Sequence, residues 1–83
     1  MFKNKSTNGR CNICGRKIYE LRKAQPTKMS QRILAEKLQL LGVDVDKNAI
    51  QRIESGVRFV TDLELRALAQ VFNVSCDYLL SDL

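Results

Sequence analysis

A capped apolar stripe between Thr61 and Phe72 is the feature that most constrains how this chain can fold. Thr61 and Glu64 match a capping box, in which each side chain satisfies a free backbone N–H group of the first helical turn. Apolar residues then recur at the i, i+3, i+4, i+7 spacing of an amphipathic helix: Leu65, Leu68, Ala69 and Phe72. Because no long run alternates apolar with polar residues, as a half-buried strand would, the chain favours an all-helical fold.

Start and stop signals predict two helices in the first half of the chain. The first covers about residues 15–25, because Pro26, the single proline, disfavours helix at the residue before it. The second begins after Ser30, a good N-cap, and ends near Gly42. Its apolar face carries Leu34, Leu38 and Leu41.

Two further helices complete the pattern. The stretch D-K-N-A-I-Q-R-I-E-S-G, residues 46–56, predicts a third helix with Asp46 as N-cap and Gly56 as stop. Ser75 is expected to cap a short fifth helix. Five short helices with short connections predict a compact all-α bundle around one core. The residues expected in that core are Leu34, Leu38, Ile50, Ile53, Leu65, Leu68, Phe72 and Leu79.

The third predicted helix separates apolar from polar residues on a wheel drawn at about 100° per residue. One side gathers Ala49, Ile50 and Ile53. The other side gathers Asn48, Gln51, Arg52 and Ser55. Amide side chains can pair with adenine, and guanidinium groups with guanine, in the major groove of DNA. The pattern alone fits either a solvated helix face or a helix that reads base edges.

Charge is distributed unevenly along the chain, which has 83 residues and a formal net charge of +5. Residues 1–37 carry ten Lys or Arg and two acidic residues, whereas residues 38–83 carry four and seven. We divide the chain into a flexible basic N-terminal arm, residues 1–13, and a helical domain, residues 14–83. A basic edge is either a solubilising surface or one that approaches DNA, and Lys3, Lys5 and Arg10 of the arm could lie along it.

Several function classes lack the residues they need. The chain has no histidine, no Gly-rich phosphate loop and no nucleophile elbow, so we do not expect an enzyme. Cys11 and Cys14 have the spacing of half a zinc site, but Cys76 is the only other thiol. A complete site within one chain would need an acidic residue or water, and two chains could build an all-thiolate site between them. We expect no metal and no cofactor. The sequence also has no signal peptide and no apolar run of the roughly 20 residues that a membrane span needs. It therefore predicts a cytoplasmic protein.

Three motifs in order give the chain a family resemblance. The chain resembles the lambda-repressor-like helix-turn-helix regulators of phage and bacteria in S-Q-R-I-L-A-E-K-L (30–38), A-I-Q-R-I-E-S-G-V-R (49–58) and D-L-E-L-R-A-L-A-Q-V-F-N-V-S-C-D-Y-L-L (62–80). The resemblance implies a five-helix bundle whose second and third helices bind double-stranded DNA, with the third in the major groove. It also implies a sequence-specific transcriptional regulator of the repressor type. Its base-reading residues would be Asn48, Gln51, Arg52 and Ser55.

The same resemblance suggests how the DNA backbone is bound and how the reading helix is held. Gln31 lies at the family position that meets a phosphate, and Arg58 resembles the basic residue that follows the third helix. The candidate phosphate-binding residues are Gln31, Lys28, Arg32, Lys47 and Arg58. The basic members of this set could equally be solubilising charges. Arg22 and Glu54 match a structural ion pair that would fix the third helix.

The connection between the second and third helices is longer than in the compact form of the family. Ala35 and Ile50 are fifteen positions apart in this sequence. We attribute the extra residues to a longer second helix and a connection at residues 42–45. Val43 and Val45 are expected to anchor that connection on the core.

The sequence is compatible with more than one oligomeric state and more than one kind of partner. Two copies of such a unit would suit a pseudo-palindromic operator, and Tyr78, Leu80 and Leu83 could supply a homodimer patch, although bundle packing explains them equally well. The rival hypothesis is a protein-interaction module, for instance an antitoxin-like partner that uses the same bundle without reading DNA.

Overall fold

The structure, a computed structural model, describes residues 9–81, and all regular secondary structure in that range is helical. The helices are α1 Gly15–Lys23, α2 Gln31–Leu40, α3 Lys47–Ser55, α4 Asp62–Phe72 and α5 Cys76–Leu80. Within the described range this is the all-α five-helix bundle that the sequence predicts. The expected patch residue Leu83 and the arm residues Lys3 and Lys5 lie outside the described residues.

Side-chain caps fix where four of these helices begin. Each of Ser30, Asp46, Thr61 and Ser75 accepts a hydrogen bond from the backbone N–H three residues later. The carboxylate of Glu64 also accepts from the N–H of Thr61, which completes the capping box. The predicted starts of α2, α3, α4 and α5 are therefore confirmed. The first helix, α1, ends at Lys23, slightly before its predicted end.

The connection between α2 and α3 is anchored in the way the sequence suggests. After Leu40 the chain turns through Gly42, whose φ of 85° is one that glycine adopts without strain. The N–H of Val43 then returns to the carbonyl of Leu38, and the side chain of Gln39 donates to the carbonyl of Val45 at 2.7 Å. Val45 is buried and Val43 packs against the core. The chain therefore passes from α2 to α3 through residues 41–46, and α2 packs extensively on α3.

The core collects apolar side chains from every helix. Those with the least exposure are Ile18, Leu34, Leu38, Ile50, Ile53, Leu68 and Leu79. Phe72 is also buried, whereas Leu65 of the expected core is only partly buried and packs against its edge. Leu65 stands beside the capped first turn of α4, where the side chain covers the core without being enclosed by it. Ile18 of α1 joins the core although it was not among the residues expected there.

Candidate nucleic-acid interface

The helix α3 is fixed at both ends and buried along one side. Asp46 Oδ1 accepts from the N–H of Ala49 at 2.8 Å at the amino-terminal end. At the other end Gly56 has a φ of 83°, which is the left-handed stop that glycine favours. Ile50 and Ile53 are almost completely buried between these ends. Packing of the two isoleucines therefore decides which side of α3 faces away from the bundle.

The outward side of α3 carries the polar residues that the wheel separates. The exposed residues there are Lys47, Asn48, Gln51, Arg52 and Ser55. Within residues 9–81, the side chains of Asn48, Gln51 and Arg52 make no hydrogen bond or ion pair. Ser55 donates through its hydroxyl to the carbonyl of Arg52 at 3.3 Å, so its oxygen remains available as an acceptor. Asn48, Gln51, Arg52 and Ser55 form one exposed polar strip, which we call the reading face, and Lys47 flanks it.

A polar network behind the reading face joins α3 to α1 and α2. The Nε of Arg22 donates to Glu54 Oε2 at 2.8 Å, and its Nη2 donates to Oε1 at 3.0 Å. Both side chains are largely buried, with 9% and 6% of their surface exposed. The hydrogen bonds that Arg22 donates to Glu54 raise the pKa of Arg22 above its ordinary value. Gln31 Nε2 also donates to Glu54 Oε1 at 3.0 Å, and Arg22 Nη1 donates to the carbonyl of Met29.

This network settles the orientation of α3 more firmly than apolar packing could. A bidentate guanidinium–carboxylate pair has a narrow geometry, so it restricts rotation of the helix about its axis. The expected Arg22–Glu54 pair is thus present in the structure and faces away from the reading face. Gln31 lies in the same network, with one N–H directed at Glu54 rather than at solvent.

The start of α2 presents further basic and polar groups. Lys28 and Arg32 are exposed, and Arg32 makes only a long contact of 4.0 Å with Glu36 across one helical turn. The Ser30 hydroxyl is occupied by the N–H of Ile33. Within residues 9–81 the backbone N–H groups of Gln31 and Arg32 have no hydrogen-bond acceptor. Such unpaired N–H groups at a helix start form an anion-binding position.

Arg58 is more constrained than the sequence suggests. Its guanidinium donates to both carboxylate oxygens of Glu64, at 2.9 and 3.0 Å, and also to the carbonyl of Phe59. The Glu64 side chain in turn belongs to the capping box of α4. The hydrogen bonds from Arg58 hold the pKa of Glu64 below its ordinary value, and the same contact raises the pKa of Arg58. Sequence reasoning missed this ion pair, although the residues are only six positions apart.

A comparison with known protein families shows which family has this arrangement of helices. The helix-turn-helix family model, of the XRE type that includes lambda repressor and Cro, matches residues 18–79, which contain almost all of the bundle. The chain belongs to this helix-turn-helix family. Comparisons with curated proteins and with solved structures gave no match.

The family match spans α2, the turn at residues 41–46 and α3, the unit that the sequence resemblance predicts to bind DNA. Members of the family are DNA-binding regulators. The reading face and the open amino-terminal end of α2 both belong to that unit, whereas α4 and α5 are the scaffold behind it. The described residues contain no helix long and apolar enough to cross a membrane.

The helix-turn-helix domain includes a segment that sequence reasoning placed in the flexible arm. Asn12 is buried, with 9% of its surface exposed, and it contacts the end of α3 together with Arg10 and Cys11. The Oδ1 of Asn12 accepts from the N–H of Gly15, but Asn12 lies two positions before Cys14, the N-cap residue of α1, so it does not occupy the position where a capping signal is read. Its contacts with α3 had no local signal, since they join residues more than forty positions apart.

The three cysteines have different surroundings. Cys14 is buried at the start of α1, and burial raises the pKa of its thiol, which disfavours the thiolate that binds metals. Cys11 and Cys76 are partly buried. Within residues 9–81 no three side chains of the metal-binding types are grouped together. Cys76 packs against the core as a small apolar residue.

Proposed function

We propose that this protein is a sequence-specific transcriptional regulator that places α3 in the major groove of double-stranded DNA. The single observation that carries the proposal is the orientation of α3 within a helix-turn-helix unit. Its isoleucines are buried, its glutamate is locked to Arg22, and its amide and guanidinium groups project outward. A major groove admits one α-helix and presents a different pattern of donors and acceptors for each base pair.

The reading face supplies the groups that this pattern requires. In the proposal Asn48 and Gln51 pair with adenine through their amides, and Arg52 pairs with guanine. Ser55, whose hydroxyl already donates to the helix, accepts from a base or from the backbone. Each good bidentate pair discriminates against a wrong base by about 1–3 kcal/mol. Unpaired side chains on a rigid helix suit this role because little has to be broken before binding.

Phosphate contacts supply most of the affinity in such complexes. We propose that the open N–H groups of Gln31 and Arg32 bind one phosphate at the start of α2, with Lys28 nearby. Lys47 flanks the reading face and contacts a second phosphate. Arg58 has a smaller part, because Glu64 already occupies both of its terminal nitrogens and only 30% of its side chain is exposed.

The regulator acts as a homodimer on a pseudo-palindromic operator in this proposal. Two reading helices one DNA turn apart, roughly 34 Å, would double the length of sequence that is recognised. The exposed side chains of Tyr78 and Leu80 at α5 offer an apolar surface for the second copy. Bound over a promoter in the cytoplasm, the dimer would repress by excluding polymerase. In this proposal the DNA-binding domain, predicted from the sequence as residues 14–83, also takes in Arg10, Cys11 and Asn12. Lys3 and Lys5 remain candidates for an arm along the DNA.

Selection of bound duplexes from a random pool tests the proposal. We expect one enriched motif with two-fold symmetry, bound more weakly as salt rises by a slope of about −0.9 for each phosphate contact. The double variant Gln51→Ala/Arg52→Ala should lose binding to that motif while its helical circular dichroism is unchanged. Enrichment of no motif by the wild-type protein would overturn the proposal.

A matched control separates base reading from a general loss of charge. The double variant Arg66→Ala/Gln70→Ala removes the same two kinds of side chain from the exposed side of α4. It should bind the selected motif almost as tightly as the wild-type protein. If both double variants lose affinity equally, the contribution of α3 is electrostatic and not specific.

A further inference from the structure

The carboxyl-terminal end of α3 is covered by residues from the beginning of the chain. The last carbonyl groups of a helix have no partner within that helix. Here Arg10 donates through Nη2 to the carbonyl of Glu54 at 2.8 Å and through Nη1 to that of Ser55 at 3.3 Å. The N–H of Cys11 donates to the carbonyl of Gly56 at 2.7 Å. Three successive carbonyls are thus satisfied from outside α3.

Asn12 joins this end of α3 to the beginning of α1. Its Nδ2 donates to the carbonyl of Ile53 at 3.0 Å and to that of Arg58 at 2.8 Å. Its Oδ1 accepts from the N–H of Gly15 at 2.8 Å. One buried amide therefore connects α1, the last turn of α3 and the segment that follows α3. The thiol of Cys14 also donates a weak hydrogen bond to Oδ1 at 4.0 Å. With both its nitrogen and its oxygen engaged, the amide is held in one orientation.

The fit between α1 and α3 at this point is close. A Cβ atom added to Gly15 would lie 2.1 Å from the carbonyl oxygen of Ile53, far inside van der Waals contact. Only glycine allows the two backbones to approach in this way. The guanidinium of Arg10 lies close to both glycines, because an added Cβ would be 2.9 Å from its Nη2 at Gly15 and 2.6 Å from its Cζ at Gly56. A positive charge at a helix carboxyl terminus also interacts favourably with the helix dipole.

We propose that Arg10, Cys11 and Asn12 form a clamp that positions the last turn of α3 for DNA reading. The proposal rests on the proposed function of the reading face. Arg52 and Ser55 belong to the turn that the clamp holds, so fraying or tilting of this turn would misplace both side chains. The clamp residues act through α3, and they are positioning residues rather than base-contacting ones.

The ion pair between Arg22 and Glu54 does not make the clamp redundant. That pair fixes the rotation of α3 through a side chain, whereas the clamp holds the backbone carbonyls of the last turn. Without the clamp, the carbonyls of Glu54, Ser55 and Gly56 would need water as a partner, and the last turn would open more often. A base contact that depends on that turn would then be made only part of the time.

Variants of Asn12 separate the clamp from the cap of α1. Asn12→Asp keeps the oxygen that accepts from Gly15 but lacks the N–H groups that reach α3, and Asn12→Ala lacks both. Arg10→Lys keeps the charge but loses the fork that reaches two carbonyls. As a control, Val74→Ala trims an apolar side chain next to α5, away from the clamp, and lowers stability without touching α3.

The first measurement is the dissociation constant for the selected duplex at a temperature where every variant is fully folded by circular dichroism. Loss of two buried hydrogen bonds should raise this constant about tenfold in Asn12→Ala. Asn12→Asp should bind no better, whereas Val74→Ala should bind like the wild-type protein despite its lower stability. Unchanged affinity in Asn12→Ala would overturn the clamp.

The salt dependence of binding distinguishes positioning from a direct phosphate contact. Asn12→Ala and Arg10→Lys should keep the wild-type slope of log affinity against log salt, because no phosphate partner is lost. A slope that becomes shallower by about one contact in either variant would show that the residue touches DNA, which would overturn its assignment as a positioning residue.

Hydrogen exchange tests the clamp without DNA. The amide of Cys11, bonded to Gly56, and that of Val57, bonded to Arg52, should be protected in the wild-type protein. In Asn12→Ala both should exchange about tenfold faster, while amides in the middle of α4 keep their wild-type rates. If the wild-type protein selects no duplex, the proposed function fails, and the exchange rates still decide whether the clamp exists. Equal protection in both proteins would overturn it.

Discussion

The last turn of α3 and the α4–α5 unit are held in the bundle by different kinds of contact. The end of α3 accepts hydrogen bonds from side chains in three other parts of the chain. They come from the segment before α1 (Arg10 and Asn12), from α1 (Arg22) and from α2 (Gln31). The α4–α5 unit depends on buried apolar residues such as Leu68 and Leu79 and on caps formed within a few residues. Two side chains are exceptions there. The amine of Lys17 donates to the carbonyls of Tyr78 and Ser81 at the end of α5, and the guanidinium of Arg58 donates to the carboxylate of Glu64 at the start of α4.

The difference corresponds to what each region has to do. Apolar packing tolerates small rotations of a helix, because the contacts are weak individually and have no direction. Hydrogen bonds and ion pairs depend on angle as well as distance, so they define one orientation. A scaffold helix needs only to be buried, whereas a helix that reads base edges must present its side chains at fixed positions.

Arg22→Ala should lower the free energy of unfolding by about 3–5 kcal/mol, because it leaves the buried carboxylate of Glu54 without its ion-pair partner. Urea denaturation measures this change. The double variant Arg22→Met/Glu54→Leu, which removes both charges, should recover most of the loss. A loss below about 1 kcal/mol for Arg22→Ala would mean that the polar network contributes little to the position of α3.

Gly15→Ala should destabilise the protein by about 1–3 kcal/mol, because its methyl group collides with the carbonyl of Ile53. This sign is opposite to the gain of roughly 1 kcal/mol that alanine usually brings within a helix. Thermal or urea unfolding of Gly15→Ala and of the wild-type protein measures this change in stability.

Gly42→Ala is the matched control for that substitution. The space around Gly42 is open, but its φ of 85° is strained for alanine, so a loss of about 1 kcal/mol is expected from the backbone alone. Stabilisation by Gly15→Ala would show that α1 and α3 do not approach as closely as described.

Thr61→Ala should cost about 1 kcal/mol, because it removes the side-chain half of the capping box at the start of α4. The effect belongs to the scaffold, so the dissociation constant for the selected duplex should stay unchanged in the folded variant. Thr61→Ser, which keeps the hydroxyl, should retain most of the stability. A change in DNA affinity without a change in stability would contradict the separation of scaffold from reading helix.

Acid should weaken the link between Arg58 and α4 by a smaller amount. The pKa of Glu64 is lowered in the folded protein, so its stabilising contribution is complete above the pKa of an unfolded-chain glutamate, roughly 4.3, and is lost as the pH falls through the lower folded value. Unfolding measured between about pH 6 and pH 2 should therefore show less acid sensitivity in Glu64→Gln. Glutamine also suits the capping box, so the cap itself is kept. Identical pH profiles for the two proteins would refute this role.

The sequence predicts the elements of this fold well because their signals are local. The helix caps are an example, because each cap side chain accepts a hydrogen bond from the N–H three residues later. A short stretch of sequence is therefore enough to predict the caps Ser30, Asp46 and Thr61. The burial of Ile50 and Ile53 follows from helical spacing in the same way. The partial burial of Leu65 could not be predicted from spacing. Helical spacing shows which side of the helix a residue lies on, but it does not show how completely neighbouring helices cover that residue.

The contacts that orient the candidate site could not be predicted in the same way. Asn12 reaches carbonyls 41 and 46 positions further along the chain, and any polar residue near the start of the chain would have looked equivalent. Burial of Arg22 contradicts the usual exposure of arginine, and only the family resemblance suggested its pairing with Glu54. The family resemblance predicts phosphate binding for Arg58, and nothing in the spacing of the sequence indicates that Arg58 pairs with Glu64.

The most direct test of the reading face is to select duplexes with the wild-type protein and with Arg52→Ala side by side. We expect the same symmetric motif from both proteins, except that Arg52→Ala no longer prefers guanine at one position in each half-site. An identical motif, with guanine retained at every position, would contradict the assignment of α3 as the helix that reads the bases.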